Sequence, residues 1–329
     1  MELLLNGDCL EKLKRVLPNS IDSIVTDPPY GLSFMGKKWD YDVPSTDIWK
    51  ECLRVLKPGG HLLSFGGTRT YHRMAVNIED AGFEIRDQIQ WLYGSGFPKS
   101  HNLKDEWHGW GSALKPANEP ICMARKLLEK GVTIAENVSK WGTGAINIDE
   151  SRIEASKDYG RSAANSKGTI NAHDGFEGKS FKIKERSADY ASSLGRWPAN
   201  VIFDEQGAEL LGEPSRFFYV AKASKSERNA GLEGMPLVEF GIKNDSGRGF
   251  IESDPHKIIL NQNHHPTVKP IKLMQYLIKL ITPPQGIVLD PFMGSGSTGV
   301  AAKRLGFNFI GCELNNDYFE IAKKRIENG

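Results

Sequence analysis

Apolar runs of three to six residues alternate with stretches of helical spacing over the first part of the chain. Leu3 to Leu5 reads as a short strand, Cys9 to Val16 as a helix, and Ser23 to Thr26 as a second strand that stops at Asp27. Asp47 to Val55 reads as a helix closed by Lys57-Pro58-Gly59-Gly60, where glycine lets the chain turn. A strand at His61 to Phe65, a helix at Tyr71 to Ala81, and strands at Ile85 to Trp91 and Pro120 to Ala124 follow. This alternation predicts βαβ units and a parallel sheet. It fades between Leu127 and Leu260, where Ser, Gly, Asn and Lys accumulate, notably over Ala155 to Gly178 and Asn229 to Asp254. That segment reads as an insertion with mobile loops, containing strands at Trp197 to Phe203 and Arg216 to Ala221. The pattern then resumes with a helix at Ile271 to Ile281, a strand at Ile287 to Asp290, a helix at Thr298 to Leu305, a strand at Phe307 to Glu313 and a helix at Tyr318 to Ile326. The expected division is 1–126, 127–260 and 261–329, without internal repeats.

Composition narrows the class more than the chemistry. At 329 residues with 39% hydrophobic and 25% charged positions, the chain can bury a large α/β core. A membrane span needs about 20 apolar residues in a row, and none occurs; the N-terminal M-E-L-L-L-N-G-D also lacks the build of a signal peptide. A soluble, cytoplasmic protein is expected. Cys9, Cys52, Cys122 and Cys312 show no C-x-x-C spacing, which argues against a zinc knuckle or disulfide framework. His264-His265 has no third ligand at metal spacing, so no metal is expected. A net charge of +1 decides nothing about nucleic acid, because phosphate binding needs a local basic surface.

Two short segments carry candidate chemistry: Ile24 to Tyr30, I-V-T-D-P-P-Y, and Val288 to Thr298, V-L-D-P-F-M-G-S-G-S-T. Each is an apolar run ending at an Asp, as when a buried parallel strand delivers a polar side chain to the carboxyl edge of a sheet, where ligands of α/β folds bind. Both therefore point to one cleft. In the second segment, Gly294-Ser295-Gly296-Ser297-Thr298 opens a helix whose free N–H groups make an anion site. No Lys follows the glycines, which excludes a phosphate loop of the G-x-x-x-x-G-K type. The next strand ends at Glu313, roughly 20 residues on, where a carboxylate can accept both hydroxyls of a ribose.

In Asp27-Pro28-Pro29-Tyr30 the prolines remove two N–H donors, leaving carbonyls and a carboxylate as an acceptor-only surface. Such a surface suits an amino group. The exocyclic amine of adenine or cytosine is a poor nucleophile, since its lone pair is delocalised into the ring. Accepting its hydrogens at Asp27 and the Pro28 carbonyl would free that pair, with Tyr30 as a stacking face. An ordinary Asp, with a pKa near ~4, suffices to take a proton from the alkylated nitrogen. A rigid turn capping a strand is the competing reading.

With both segments in view, the chain resembles S-adenosylmethionine-dependent amino-methyltransferases of DNA, and the order of D-P-P-Y before F-x-G-x-G resembles their permuted β class. Phage and prophage methyltransferases look similar through F-G-G-T-R-T-Y-H-R-M, Y-G-S-G-F-P-K-S, G-R-W-P-A-N-V-I and R-F-F-Y-V-A-K-A-S-K. The resemblance implies a Rossmann-like, mostly parallel methyltransferase sheet with circularly permuted motifs. Its catalytic half would be 1–126, an inserted target-recognition region 127–260, and its cofactor half 261–329. It also implies that Asp27, Pro28, Pro29 and Tyr30 hold the target base. Asp290, Phe292 and the Gly294, Ser295, Gly296, Ser297 and Thr298 turn would surround the methionine part of the cofactor. Glu313 would bind its ribose, Asp8 of N-G-D-C-L its adenine amino group, and Thr267 and Lys269 of H-P-T-V-K-P its carboxylate. Asp at the head of D-P-P-Y favours adenine N6, with cytosine N4 as the alternative.

The resemblance further implies a double-stranded DNA substrate, a base flipped out of its stack, and the setting of a bacterial or phage-infected cell, as in restriction-modification systems. Such enzymes are often homodimers. Phosphate candidates come from segments mixing basic and aromatic residues: Arg69, Lys99, Arg216, Lys222, Lys225 and Arg228. Phe34 is a second candidate to close on the base. Rival readings are a non-catalytic DNA-binding partner that keeps the fold and a nicotinamide-dependent oxidoreductase.

Overall fold

A computed structural model describes residues 1–32, 40–94, 96, 100–154, 195–221, 225–240 and 259–329. A nine-stranded sheet organises them, in the order β1-β11-β10-β2-β3-β5-β4-β6-β7. The strands are β1 (Glu2–Asn6), β2 (Ile21–Thr26), β3 (Leu56–Phe65), β4 (Glu84–Leu92), β5 (Asn118–Arg125), β6 (Val201–Asp204), β7 (Tyr219–Ala221), β10 (Ile287–Asp290) and β11 (Asn308–Glu313). A separate antiparallel pair joins β8 (Val238–Phe240) to β9 (Ile259–Asn261). The helices are α1 (Cys9–Leu13), α2 (Thr46–Val55), α3 (Tyr71–Asp80), α4 (Ile134–Trp141), α5 (Glu205–Leu211), α6 (Ile271–Ile281), α7 (Ser297–Arg304) and α8 (Asn316–Asn328). Among the described residues, no helix is long and apolar enough to cross a membrane.

The strands are apolar on both faces because helices cover both. Successive residues alternate sides. Ile24, Leu62, Cys122, Leu289 and Ile310 pack with Trp49, Cys52, Met74 and Ile78 of α2 and α3. Their neighbours Val25, Leu63, Met123, Val288 and Phe309 pack with Leu277 and Ile278 of α6 and Val300 of α7. Fully burying a side chain such as Leu277 contributes about 1.5–3 kcal/mol, so the eleven-residue α6 anchors its layer.

Every neighbouring pair in this sheet is parallel except the two made by β5. β5 runs antiparallel to both β3 and β4. The link from β4 to β5 contains no α-helix among its described residues, only a short 3-10 turn at Asp105–Trp107, so it lacks the crossover that a parallel return needs. The turn expected at Lys57 to Gly60 is also altered, because β3 already begins at Leu56. Gly59 donates to the carbonyls of Lys126 and Leu127, while Asn137 and Thr143 donate to that of Pro58, so these backbone groups are paired inside the structure. The strands expected over 197–203 and 216–221 shorten to β6 and β7, with 3-10 geometry over Glu213–Phe217, and both extend the main sheet.

Candidate active site

β2 and β10 are parallel neighbours, with Ser23 opposite Val288 and Ile24 opposite Leu289. Their carboxyl ends therefore place Asp27 and Asp290 side by side at one edge. Thr26 ties the two directly, donating its hydroxyl to Asp290 Oδ1 at 2.6 Å. One cavity of about 1040 Å³ opens above this seam, lined from the first segment by Asp27, Pro28, Pro29 and Tyr30 and from the last by Asp290, Phe292, Gly294 and Glu313.

Asp290 is almost fully buried and takes three hydrogen bonds. Besides Thr26 it accepts from Thr298 Oγ1 at 2.6 Å and from the Phe292 N–H at 3.1 Å. Burial lifts its carboxyl to about 6 against these bonds. Its work is to pin the turn into α7. Gly294 and Gly296 hold φ of +54° and +82°, the left-handed region that glycine enters without strain. A Cβ on Gly294 would lie 2.9 Å from His265 Nε2, and one on Gly296 would lie 3.1 Å from the Ala322 Cα of α8. Ser295 is buried, its hydroxyl accepting from Asn263 and Arg325, while Ser297 and Thr298 line the cavity.

Glu313 ends β11 and takes the Gly294 N–H on Oε2 and the Asn315 N–H on Oε1, each at 2.8 Å. Burial pushes its carboxyl up to about 7. Asp8 caps α1 through the N–H groups of Leu10 and Glu11 and borders the same cavity. Thr267 also borders it, its N–H directed to His265 Nδ1 at 3.3 Å. His265 is held neutral, lowered to about 3 by burial, and its ring packs edge-on against Tyr318 at 4.5 Å. Sequence reasoning used H-P-T-V-K-P without giving His265 a part; here it walls the glycine turn.

Lys269 lines the same cavity and reaches across it to the first segment. Its ammonium lies 2.6 Å from Asp27 Oδ2, 3.2 Å from Glu119 Oε2 and 3.3 Å from the Tyr30 hydroxyl. It also sits 4.9 Å from the centre of the Phe65 ring and 5.6 Å from that of Tyr30, within cation–π range. Two carboxylates hold Lys269 charged despite burial. Burial raises Asp27 above the ordinary carboxylate range, outweighing the pull of that ammonium. The Tyr30 hydroxyl stands 2.7 Å from Asp27 Oδ1 and 2.9 Å from Glu119 Oε2. Asp40 fastens the backbone below by accepting from the N–H groups of Tyr30 and Gly31.

Glu119 was not among the expected site residues. A strand parallel to its neighbours brings its last residues to this edge, whereas antiparallel β5 brings its first, Asn118 and Glu119. Only the strand's direction reveals that.

The basic candidates separate. Arg69 is exposed in the turn between β3 and α3, beside Gly67 and Thr68 of the cavity wall. Arg216 pairs with Glu213 and lies 5.1 Å from the centre of the Phe217 ring. Arg228 is half-buried and donates to the carbonyls of Asn263 and His265, bracing the approach to H-P-T-V-K-P. Lys225 opens a 3-10 turn. Lys99, Lys222 and Phe34 lie outside the described residues.

A family model described as DNA methylase, for N6 and N4 methyltransferases, matches residues 21–324. The chain belongs to the N6/N4 DNA methylase family. It is similar to the Type II methyltransferase M.HindIII of Haemophilus influenzae, 24% identical over 99% of this chain and 95% of that protein. It is also similar to the Type II methyltransferase M.HinfI of the same species, 24% identical over 99% of this chain and 68% of that protein. Among solved structures, the cytosine-N4-specific PvuII DNA methyltransferase shares the fold with a TM-score of 0.52 at 16% identity, covering 98% of this chain and 86% of that one. The Rossmann-like, mostly parallel sheet of this DNA methylase thus agrees with the architecture expected from its motifs.

Proposed function

We propose that this methylase transfers a methyl group from S-adenosylmethionine to the exocyclic N6 of an adenine flipped out of double-stranded DNA. The observation that carries the reading is the shared cavity, which puts the acceptor-only edge of Asp27 and Pro28 beside the glycine turn on the adjoining strand. The residues present fit the cofactor: Gly294 borders the cavity without a side chain, Gly296 lets the turn close against α8, and Glu313 and Asp8 offer carboxylates to ribose and adenine. When bound, its sulfonium supplies an electrophilic methyl group. Phe292 and the 294–298 turn would flank its methionine part, with Asp290 acting by holding that turn. On the other side, Asp27 and the Pro28 carbonyl accept the two hydrogens of the target amine and draw its nitrogen towards tetrahedral geometry. Each carboxylate oxygen keeps a lone pair beyond its contact to Tyr30 or Lys269. Asp27, raised by burial, is also a better proton acceptor than a surface Asp.

Asp at the head of D-P-P-Y supports adenine over cytosine. The segment 127–260 serves as the target-recognition region between core halves 1–126 and 261–329, and Arg69 contacts a phosphate at the cleft rim. Incubating the purified chain with DNA and S-adenosylmethionine, followed by mass spectrometry of the nucleosides, tests the reading. N6-methyladenine is expected; N4-methylcytosine would overturn the base assignment, and no methylated nucleoside the reaction itself.

A further inference from the structure

Tyr30 has one hydroxyl hydrogen and two carboxylates within reach of it, Asp27 at 2.7 Å and Glu119 at 2.9 Å. One hydrogen serves one of them at a time. The hydroxyl therefore has two positions, and Lys269 touches both carboxylates, 2.6 Å from Asp27 and 3.2 Å from Glu119, so its charge accompanies either arrangement. Glu119 stands at the more open end: its side chain is 22% exposed, against 16% for Asp27 and 7% for Lys269.

Resting on the methyltransferase reading above, we infer that Glu119 is a second carboxylate of the amine site, receiving through the Tyr30 hydroxyl the proton that the target nitrogen gives up. The transfer balances without an added reactant. As the nitrogen gains its methyl group it becomes positively charged, and its N–H bond breaks towards Asp27, the electron pair staying on nitrogen. Asp27 passes that proton to the Tyr30 oxygen while the Tyr30 hydrogen moves to Glu119 Oε2, so the phenol is regenerated. Glu119 then releases the proton to water, and Asp27 is again a carboxylate. Tyr30 acts as a neutral hydroxyl throughout, since burial and the two neighbouring carboxylates push its ionisation well above the ordinary phenol value.

Single-turnover methylation across a pH series, with cofactor affinity measured separately by calorimetry, tests this with Glu119→Gln, Tyr30→Phe, their double variant and Glu119→Asp. Each single variant should slow transfer about tenfold, less than the 10²–10⁴ of a direct acid or base. The double variant should be no slower than either single, Glu119→Asp should recover most of the rate, and cofactor affinity should stay within about twofold. Glu119→Gln should also move the acid limb of the pH profile downward, because a negative neighbour of Asp27 has gone. Wild-type rate and profile in Glu119→Gln would overturn the relay, as would multiplying losses in the double variant or a matching loss of cofactor affinity. If Glu119→Gln does not fold, Tyr30→Phe decides alone: it keeps the ring, and an unchanged rate refutes the path. An inactive wild-type chain overturns the methyltransferase reading itself, whereas an active one with indifferent variants sinks only the relay.

Discussion

Replacing Lys269 with Met removes the cation from between Asp27 and Glu119 while leaving a side chain of similar length among Phe65 and Tyr30. The Lys269 side chain is 7% exposed, so water cannot take its place freely. Breaking a buried ion pair by removing one partner costs about 3–5 kcal/mol, because the remaining charge is left uncompensated. A carboxyl can escape by protonation, which sets a ceiling. From an ordinary pKa near ~4, protonating one carboxyl costs about 5 kcal/mol at pH 8 and about 2 kcal/mol at pH 5.5, at 1.36 kcal/mol per pH unit. The folded variant then binds about one proton more than the unfolded chain, so its stability rises as pH falls, the opposite of a carboxylate with a depressed pKa. Urea denaturation of both proteins should show a deficit of about 3–5 kcal/mol at pH 8, falling to about 2 kcal/mol at pH 5.5. Adding Asp27→Asn and Glu119→Gln should restore most of the loss, since a neutral cluster needs no cation. A deficit under about 1 kcal/mol at pH 8, or one independent of pH, would refute the argument that Lys269 neutralises a buried carboxylate pair.

Asp27→Ala should reduce methylation at least 10²-fold while cofactor affinity, measured by calorimetry, stays within a few fold, because the cofactor turn is held by Asp290 and Glu313. Cofactor affinity should weaken as pH falls through about 7, where Glu313 gains a proton and loses an acceptor for the ribose, and Glu313→Gln should flatten that dependence. Gly296→Ala should destabilise the fold by about 1–3 kcal/mol and weaken cofactor binding together, since its φ is +82° and the new Cβ meets α8; thermal melts and titration read the two effects.

The stretches that the sequence spells out best are those whose structure is dictated locally. β2, β10 and α6 follow from continuous apolar runs and helical spacing, and the Asp residues at the ends of the two strands announced the edge where the cavity lies. α4 went unread although its signals are present: Thr133 and Glu136 form a capping box, and Gly142 closes the helix at φ +77°. These three signals in a short amphipathic run were outweighed by the polar composition around it. β5 was placed correctly along the chain but not in direction, because direction depends on its connection to β4 and leaves no mark on side-chain alternation. That one reversal hid Glu119. The contact of Lys269 with Asp27 is equally illegible: its motif leads into the cofactor half, but its long side chain crosses to a partner 242 residues away.

The hydrogen bond from Thr26 to Asp290 spans 264 residues. A ribosome therefore delivers the base-handling strand long before the strand that completes its neighbour, and during that interval β2 lacks β10 along one side. A chain cut short before Ile287 would leave β2 with a bare edge, a target for quality control.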